Sequence, residues 1–315
     1  MSGELPLTVL LAAKNGAVNL PRFLGALGPA ARVIVLDSRS THATAEIALA
    51  HGAEVGQFDY RGGYPKKRQW ALTQIALETP WVLLLDADEV VPDALWREIA
   101  DVVEGSDAPD APDAYMIVKG IHFLGRRFRH GGFSHAAVLL FRTGTARFER
   151  LSDDAVDSLD MEIHERIVVR GRVGRLQTPL IREDFKGLEA YITRHNKYSI
   201  WEARVPHRYL TTGRYGEDTI VPRLFGNAQE RRRFVKALII RLPFEQWLWS
   251  FYHFVLRLAF LECRAGLIAS QIRASYIAQT RAKMYELRRM GARLGVGAGG
   301  RAASRSSRSR APLLG

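Results

Sequence analysis

Two aspartates one residue apart, Asp86 and Asp88, end the apolar run W-V-L-L-L of residues 81–85. A pair of carboxylates at the end of such a run offers hard oxygen donors. These suit Mg or Mn, which keep coordination positions open for a substrate's phosphates. Two further groups could join them. Asp37, which ends V-I-V-L, is a carboxylate able to accept hydrogen bonds from a base or a ribose. Lys66-Lys67-Arg68 stands at the expected start of a helix, where cations and free N–H groups can hold phosphate. Taken together they describe a nucleoside diphosphate site with a divalent cation. Asp86 and Asp88 alone would equally describe an acidic surface turn.

The elements that must position these groups follow from the pattern around them. Leu7–Ala12, Val33–Leu36, Ala53–Phe58 and the Trp81 run read as buried strands, the last bounded by Pro80 and Pro92. Between them the spacing predicts helices: one from Asn19 as N-cap with Pro21 in its first turn, one capped by Thr41 and running to His51, one over Tyr64–Glu78, and one over Pro92–Glu104. Strand–helix alternation predicts a doubly wound, mostly parallel α/β sheet, whose ligands bind at the carboxyl ends of the strands. In extended chain, Asp86 and Asp88 would point into that crevice together. No glycine-rich phosphate loop follows the first strand, which argues against a dinucleotide-binding dehydrogenase or a P-loop enzyme.

S-D-A-P-D-A-P-D at 106–113 reads as a connector to a second half, 106–225, distinct from the nucleotide-binding half 1–105. In the second half Ala114–Ile121 and Val138–Phe141 are expected strands, with a basic, glycine-bearing loop at 125–132 between them. Residues 150–160 form an acidic stretch, Ile163–Val169 and Val173–Gln177 a strand pair turning at Gly171, and Leu188–Arg204 a helix. Tyr198 and Trp201 on that helix suit the core better than a sugar platform. Among the histidines, His122, His130 and His135 flank the basic loop. His130 is the best placed to meet a substrate, because Gly131-Gly132 allows close approach.

Composition is that of a globular protein: 315 residues, 47% hydrophobic and 25% charged. A single cysteine, Cys263, excludes an internal disulfide and fits a reducing compartment. Leu5–Ala13 reads as a first strand rather than a signal peptide. The net charge of +12, concentrated after Arg204, predicts attraction to a polyanion. Residues 226–290 are expected to form a helical extension. Its uncharged core Gln246–Leu256 is too short for the roughly 20 residues of a span, and Arg257 at mid-bilayer would cost about 2.5–3.5 kcal/mol. Trp247, Trp249, Tyr252 and flanking arginines instead fit a helix lying in an anionic membrane interface. Residues 291–315, without an acidic side chain, are expected to be a disordered basic tail.

V-L-D-S-R-S-T-H-A-T, K-K-R-Q-W-A-L and W-V-L-L-L-D-A-D-E, in this order over residues 7–95, resemble the nucleotide-sugar half of glycosyltransferase family 2. F-L-G-R-R-F-R-H-G-G, L-L-F-R, I-H-E-R, H-N-K-Y-S-I-W-E-A and A-F-L-E-C-R-A-G-L resemble, more weakly, the subgroup that builds lipopolysaccharide cores and exopolysaccharides. The resemblance implies a GT-A fold with a smaller acceptor-side sheet, and an inverting, metal-dependent transfer from a nucleotide-sugar to a glycan or lipid-linked acceptor. The single cysteine and the aromatic, basic C-terminal region lead to the expectation of a cytoplasmic place, peripheral on the inner face of the cell membrane, with no specific nucleic-acid partner. Carried over, Asp37 would bind the base or ribose, and Asp86 would lie near ribose and metal. Asp88 would be the main metal ligand, and Arg68 would contact phosphate or support the Asp86 loop. Ala12, Asn15, Ser38, Lys67 and Ala87 would line the donor, and His130 and Arg142 would face the acceptor. Arg182 stands where the subgroup often has His.

Such a transfer needs a general base for the acceptor hydroxyl. The expected base is Glu165 in I-H-E-R, with His164 orienting it or completing the metal shell; Asp153, Asp154 and Asp184 are the competitors. I-H-E-R-I-V is not a zinc-peptidase HExxH motif. A sugar-phosphate nucleotidylyltransferase would need a glycine- and arginine-rich loop after the first strand, where this chain has A-A-K-N. A basic, non-enzymatic binding module would leave Asp37, Arg68, Asp86 and Asp88 without a purpose.

Overall fold

The computed structural model describes residues 4–106, 108, 110–150, 160–162, 166–212, 222–225, 228–242 and 244–299, with the backbone alone at 212, 228, 229, 232, 233 and 236 and over 291–299. Strands β1 (Leu5–Ala13), β2 (Ala30–Asp37), β3 (Glu54–Gln57) and β4 (Trp81–Asp86) lie parallel in the order β3-β2-β1-β4. Helices α1 (Leu20–Gly25), α2 (Thr44–Ala50) and α3 (Lys67–Gln74) connect them. The sheet then continues past β4. After the two-residue β5 (Glu89–Val90) and α4 (Asp93–Glu104), strand β6 (Ala114–Phe123) turns through the short β7 (Arg126–Arg127) into β8 (His135–Arg142). β8 inserts antiparallel between β4 and β6.

β1, β4 and the second half of β2 are buried on both faces, so their side chains alternate between two cores. Val9, Leu11, Leu83 and Leu85 pack with α1, α2 and α4 on one side; Leu10, Ile34, Leu36, Val82 and Leu84 pack with α3 on the other. This is the doubly wound, mostly parallel sheet expected from the sequence. The second-half strands β6 and β8, expected in a smaller sheet of their own, extend the main sheet, and the separate small sheet is the pair β9 (Ala146–Phe148) and β10 (Ile167–Val169).

The expected hairpin across Gly171 does not form. β10 pairs antiparallel with β9, while β11 (Val173–Arg175) pairs parallel with β6. Asp113 separates the two. Its carboxylate accepts from the main-chain N–H of Arg172 at 3.0 Å, and its own N–H donates to the Arg172 carbonyl at 2.9 Å. β12 (Leu180–Arg182) closes the far edge between β6 and β5.

Two expected caps are absent. Asn19 is the residue before α1, but its side chain bridges to Asp184 and to the main chain of Phe185, at 2.9 and 3.2 Å. Thr41 bonds Asn15, and α2 starts at Thr44.

The C-terminal region is helical but not one helix. α5 (Gly187–Thr212) runs past its expected end at Arg204 and packs along α8 (Cys263–Gly299). Between them come α6 (Ala228–Ile239) and α7 (Glu245–Phe251), the latter followed by a π turn at Tyr252–Leu256 and a 3₁₀ turn at Ala259–Glu262. Leu258 and Cys263 adopt positive φ of 61° and 54°, which breaks the expected continuous helix. No helix among the described residues is long and apolar enough to cross a membrane. α8 continues to Gly299, beyond the expected boundary at 291, and the rest of the basic tail lies outside the described residues.

Candidate active site

The parallel register carries the acidic residues to one sheet edge. Ala13 of β1 sits opposite Asp37 of β2, and Ala12 opposite Asp86 of β4. Asp37 is buried and held from three directions: by the hydroxyl and main-chain N–H of Ser40, and by the Gln57 amide at 3.2 Å. Ser40 in turn accepts from the N–H of Asn15 at 2.8 Å, tying the ends of β1 and β2 together. Ser38 is buried beside Asp37. Ala87 packs close to Ala13 and Gly16, where a Cβ on Gly16 would lie 3.9 Å from that of Ala87. The expected donor-lining residues thus gather at the ends of β1, β2 and β4.

Asp88 is not in extended chain. Ala87 and Asp88 form a turn, and Glu89 returns as β5. The carboxylates converge all the same, because the turn brings ligand atoms of Asp86, Asp88 and Glu89 within 4.8 Å of one another. Glu89 is fully buried and accepts from the N–H of Asp86 at 3.1 Å.

Three cations neutralise the cluster. Arg68 donates to Asp86. Lys119 reaches Asp86 at 3.3 Å and Glu89 at 2.6 Å, and Arg182 meets Asp88 at 3.3 Å. Burial works against the charge of Asp86, yet Arg68 and Lys119 hold its carboxyl well below the usual range. Burial pushes Glu89 up, and Asp88 raises Arg182 above the ordinary guanidinium value. Three close carboxylates with oxygen donors only fit Mg or Mn.

α3 supplies Arg68, while Lys119 comes from β6 and Arg182 from β12, and what caps α3 is not local. Glu162, nearly a hundred residues away in sequence, accepts from the main-chain N–H groups of Arg68 and Gln69 at 3.2 and 2.9 Å. Its carbonyl takes the Arg68 guanidinium at 3.1 Å. Beside it the Asp160 carbonyl accepts from the main-chain N–H of Lys67 at 2.9 Å, and its carboxylate lies 3.6 Å from the Lys67 ammonium and 3.2 Å from that of Lys14. Lys67 itself is buried and donates to the Ala13 carbonyl at 2.8 Å; burial lowers its pKa to about 8 despite Asp160. The opposite wall comes from α5. Burial raises the Tyr198 phenol against the pull of Arg194, and Asp86 and Asp88 add to the rise. Trp201 is buried, with the Lys66 ammonium 5.1 Å from its ring.

Other expected residues lie elsewhere. Glu165, His164, Asp153 and Asp154 fall outside the described residues. Asp184 is committed to Asn19 and to Arg194, at 2.9 and 2.8 Å. Arg142 pairs in register with Trp81, at the opposite end of β4 from Asp86 and so roughly 16 Å away along the strand. There it stacks over the Trp81 ring and caps the Ser106 carbonyl, which makes it a support of the sheet's far edge. His130 bonds Glu262 through both its main-chain N–H, at 2.8 Å, and its ring Nδ1, at 3.0 Å. That contact ties the basic loop to the C-terminal region.

Sequence reading missed Glu89, Lys119, Glu162 and Asp160, and did not assign Arg182 a partner. A lone lysine in the apolar strand A-Y-M-I-V-K-G-I was a signal for Lys119, and D-A-D-E for Glu89. No local signal pointed to Glu162.

No family model matches the chain. Among curated proteins it is 25% identical over 316 residues to the lipopolysaccharide core biosynthesis glycosyltransferase LpsC of Rhizobium meliloti strain 1021, covering 94% of this chain and 98% of that protein. It is also 33% identical over 108 residues to an uncharacterized glycosyltransferase of Mycobacterium tuberculosis strain H37Rv, covering 34% of this chain and about half (48%) of that one. Among solved structures, glucosyl-3-phosphoglycerate synthase from M. tuberculosis, with Mn2+, uridine diphosphate and glucosyl-3-phosphoglycerate bound, matches at 22% identity over 38% of this chain and 45% of that chain. The TM-score is 0.29, a likeness too slight to bear on the chemistry. By sequence the protein is similar to one bacterial glycosyltransferase over nearly its whole length and to others over about a third of it.

Proposed function

We propose that this glycosyltransferase relative moves a sugar, with inversion, from a nucleoside diphosphate donor to a glycan or lipid-linked acceptor of a cell-surface polysaccharide. The observation that carries the proposal is the joining of Asp86, Asp88 and Glu89 to Arg68, Lys119 and Arg182 at the strand ends, beside Asp37. Asp37 is already oriented by Ser40 and Gln57 to receive a ribose or base. Lys67 and Arg68 stand at the start of α3, where their positive charge favours the diphosphate, the first main-chain N–H groups of the helix being already taken by Asp160 and Glu162. Asp88, with Asp86 beside it, would hold a divalent cation, which when bound supplies Lewis-acid stabilisation to the departing diphosphate. Arg68 and Lys119 fix the Asp86 carboxylate, so little reorganisation accompanies charge development.

Asp88→Ala is expected to abolish metal-stimulated release of nucleoside diphosphate from whichever nucleotide-sugar in a donor panel supports it, by at least about 10²-fold. Release unchanged in Asp88→Ala would refute the assignment. Glu165 remains the proposed base. It is three residues from Glu162, whose carboxylate meets Arg68 and Gln69. Glu165→Gln should keep donor binding and lose about 10²–10⁴ in transfer to acceptor. Unchanged transfer would move the role to Asp153 or Asp154.

A further inference from the structure

The segment that follows α6 is built inside out. Among its buried residues are His253, Ala259 and Glu262. The polar ones face the catalytic domain. The His253 ring lies 2.6 Å from the Gly131 carbonyl, and Glu262 binds Arg126 at 3.1 Å and the main-chain N–H groups of Arg129 and His130, both at 2.8 Å. The large apolar side chains point the other way. Phe244, Trp247, Phe251 and Leu256 are each more than half exposed, at 64, 68, 56 and 62%, and Leu248 and Phe260 add to the same stretch at 45 and 46%. A water-facing helix normally shows the reverse pattern, and a contiguous apolar face of this kind marks a surface that meets something apolar.

What it meets is indicated by the charge around it. Residues 228–290 hold only four acidic side chains, Glu230, Glu245, Glu262 and Glu286. Glu245 is taken by Arg281 at 2.9 Å, and Glu262 by the basic loop. Exposed Arg241, Arg257 and Arg264 border the apolar stretch. Beside α7 lies a cavity of about 460 Å³ where α5, α6 and α8 meet. It is lined by Arg241, Arg281 and Arg288 together with Leu210, Met284 and Tyr285. Guanidinium groups over an apolar floor are the chemistry that receives a phosphate carried on an acyl-bearing body.

We infer that α7 and the broken turns after it lie flat on an anionic lipid bilayer, with the arginine-lined cavity taking a lipid phosphate. The helix break serves this geometry. A continuous helix would carry its apolar stripe around to the domain, whereas the π and 3₁₀ turns keep Phe251, Leu256 and Phe260 outside while His253 and Glu262 stay anchored. The inference stands independently of the transfer reaction.

The test is flotation of the full chain with vesicles of phosphatidylcholine alone and of phosphatidylcholine mixed with phosphatidylglycerol. The wild type should float with the mixed vesicles, float less at high salt because surface attraction is screened, and stay largely unbound to the neutral ones. Trp247→Ser with Phe251→Ser should remove flotation. Arg241→Gln and Arg288→Gln should each weaken it about fivefold on the anionic vesicles. Flotation that survives the Trp247/Phe251 pair would overturn the inference by placing the contact elsewhere, for example in the basic tail. Competition by free glycerol phosphate that leaves vesicle binding intact would overturn the cavity's part in it. A chain that ignores both vesicle types and is a stable dimer by light scattering would put a second copy on the face.

Discussion

Lys67 shows how one buried side chain can give the site a pH response. Its ammonium is almost wholly enclosed, donating to the Ala13 carbonyl at 2.8 Å with Asp160 at 3.6 Å, and burial brings its pKa down to about 8. The lysine is therefore charged below that pH and neutral above it. A charged Lys67 favours an arriving diphosphate, so affinity for nucleoside diphosphate should fall as pH rises through about 8. Lys67→Met should bind more weakly at neutral pH and lose that step. A pH titration of binding that shows the same step in both proteins would contradict the role. At this scale the sequence pointed to the gathering of Asp37, Arg68 and Asp86 at the strand ends, where type and neighbourhood agreed. For Arg142, suggested by the resemblance of L-L-F-R, and His130, suggested by the glycine-bearing basic loop, the sequence held no sign of the partners they have. In the fold one stacks on Trp81 and the other serves Glu262.

At the scale of elements, α3 depends on a partner that no local pattern encodes. Glu162 satisfies the main-chain N–H groups of Arg68 and Gln69, and Gln69 passes the connection on through its side chain, which accepts from the N–H of Phe148 at 2.7 Å. Glu162→Ala leaves buried donors without an acceptor, a loss of about 1–3 kcal/mol in chemical denaturation. It should also weaken donor binding, because the first turn of α3 carries Lys67 and Arg68. Full stability in this variant would show that another group caps the helix. β1, β2 and β4 were legible because each holds a buried run bounded by glycine, proline or a polar turn. The hairpin at Gly171 was not. Val173–Arg175 and Ile167–Val169 each find a distant partner strand, and local turn chemistry cannot reveal a competing register. The expected continuous helix over 242–290 failed for a related reason. Its apolar residues suit helix, but contacts from Gly131 and Arg126 to His253 and Glu262 impose the break.

Taken as a whole, the molecule balances its candidate site before any ligand arrives. Three carboxylates, Asp86, Asp88 and Glu89, face three cations, Arg68, Lys119 and Arg182. A divalent cation alone would leave the cluster with surplus positive charge, and a nucleoside diphosphate alone would leave it negative. Arriving together, they restore the balance. The account therefore predicts that metal and nucleotide bind as a pair. The direct measurement is calorimetric titration of nucleoside diphosphates into the protein with and without Mn2+, for wild type and for Asp88→Asn. Tight binding of one nucleotide only when Mn2+ is present, weak binding of Mn2+ by itself, and loss of the coupling in Asp88→Asn are the expected results. Nucleotide binding that is indifferent to Mn2+, or coupling that persists without the Asp88 carboxylate, would contradict the account.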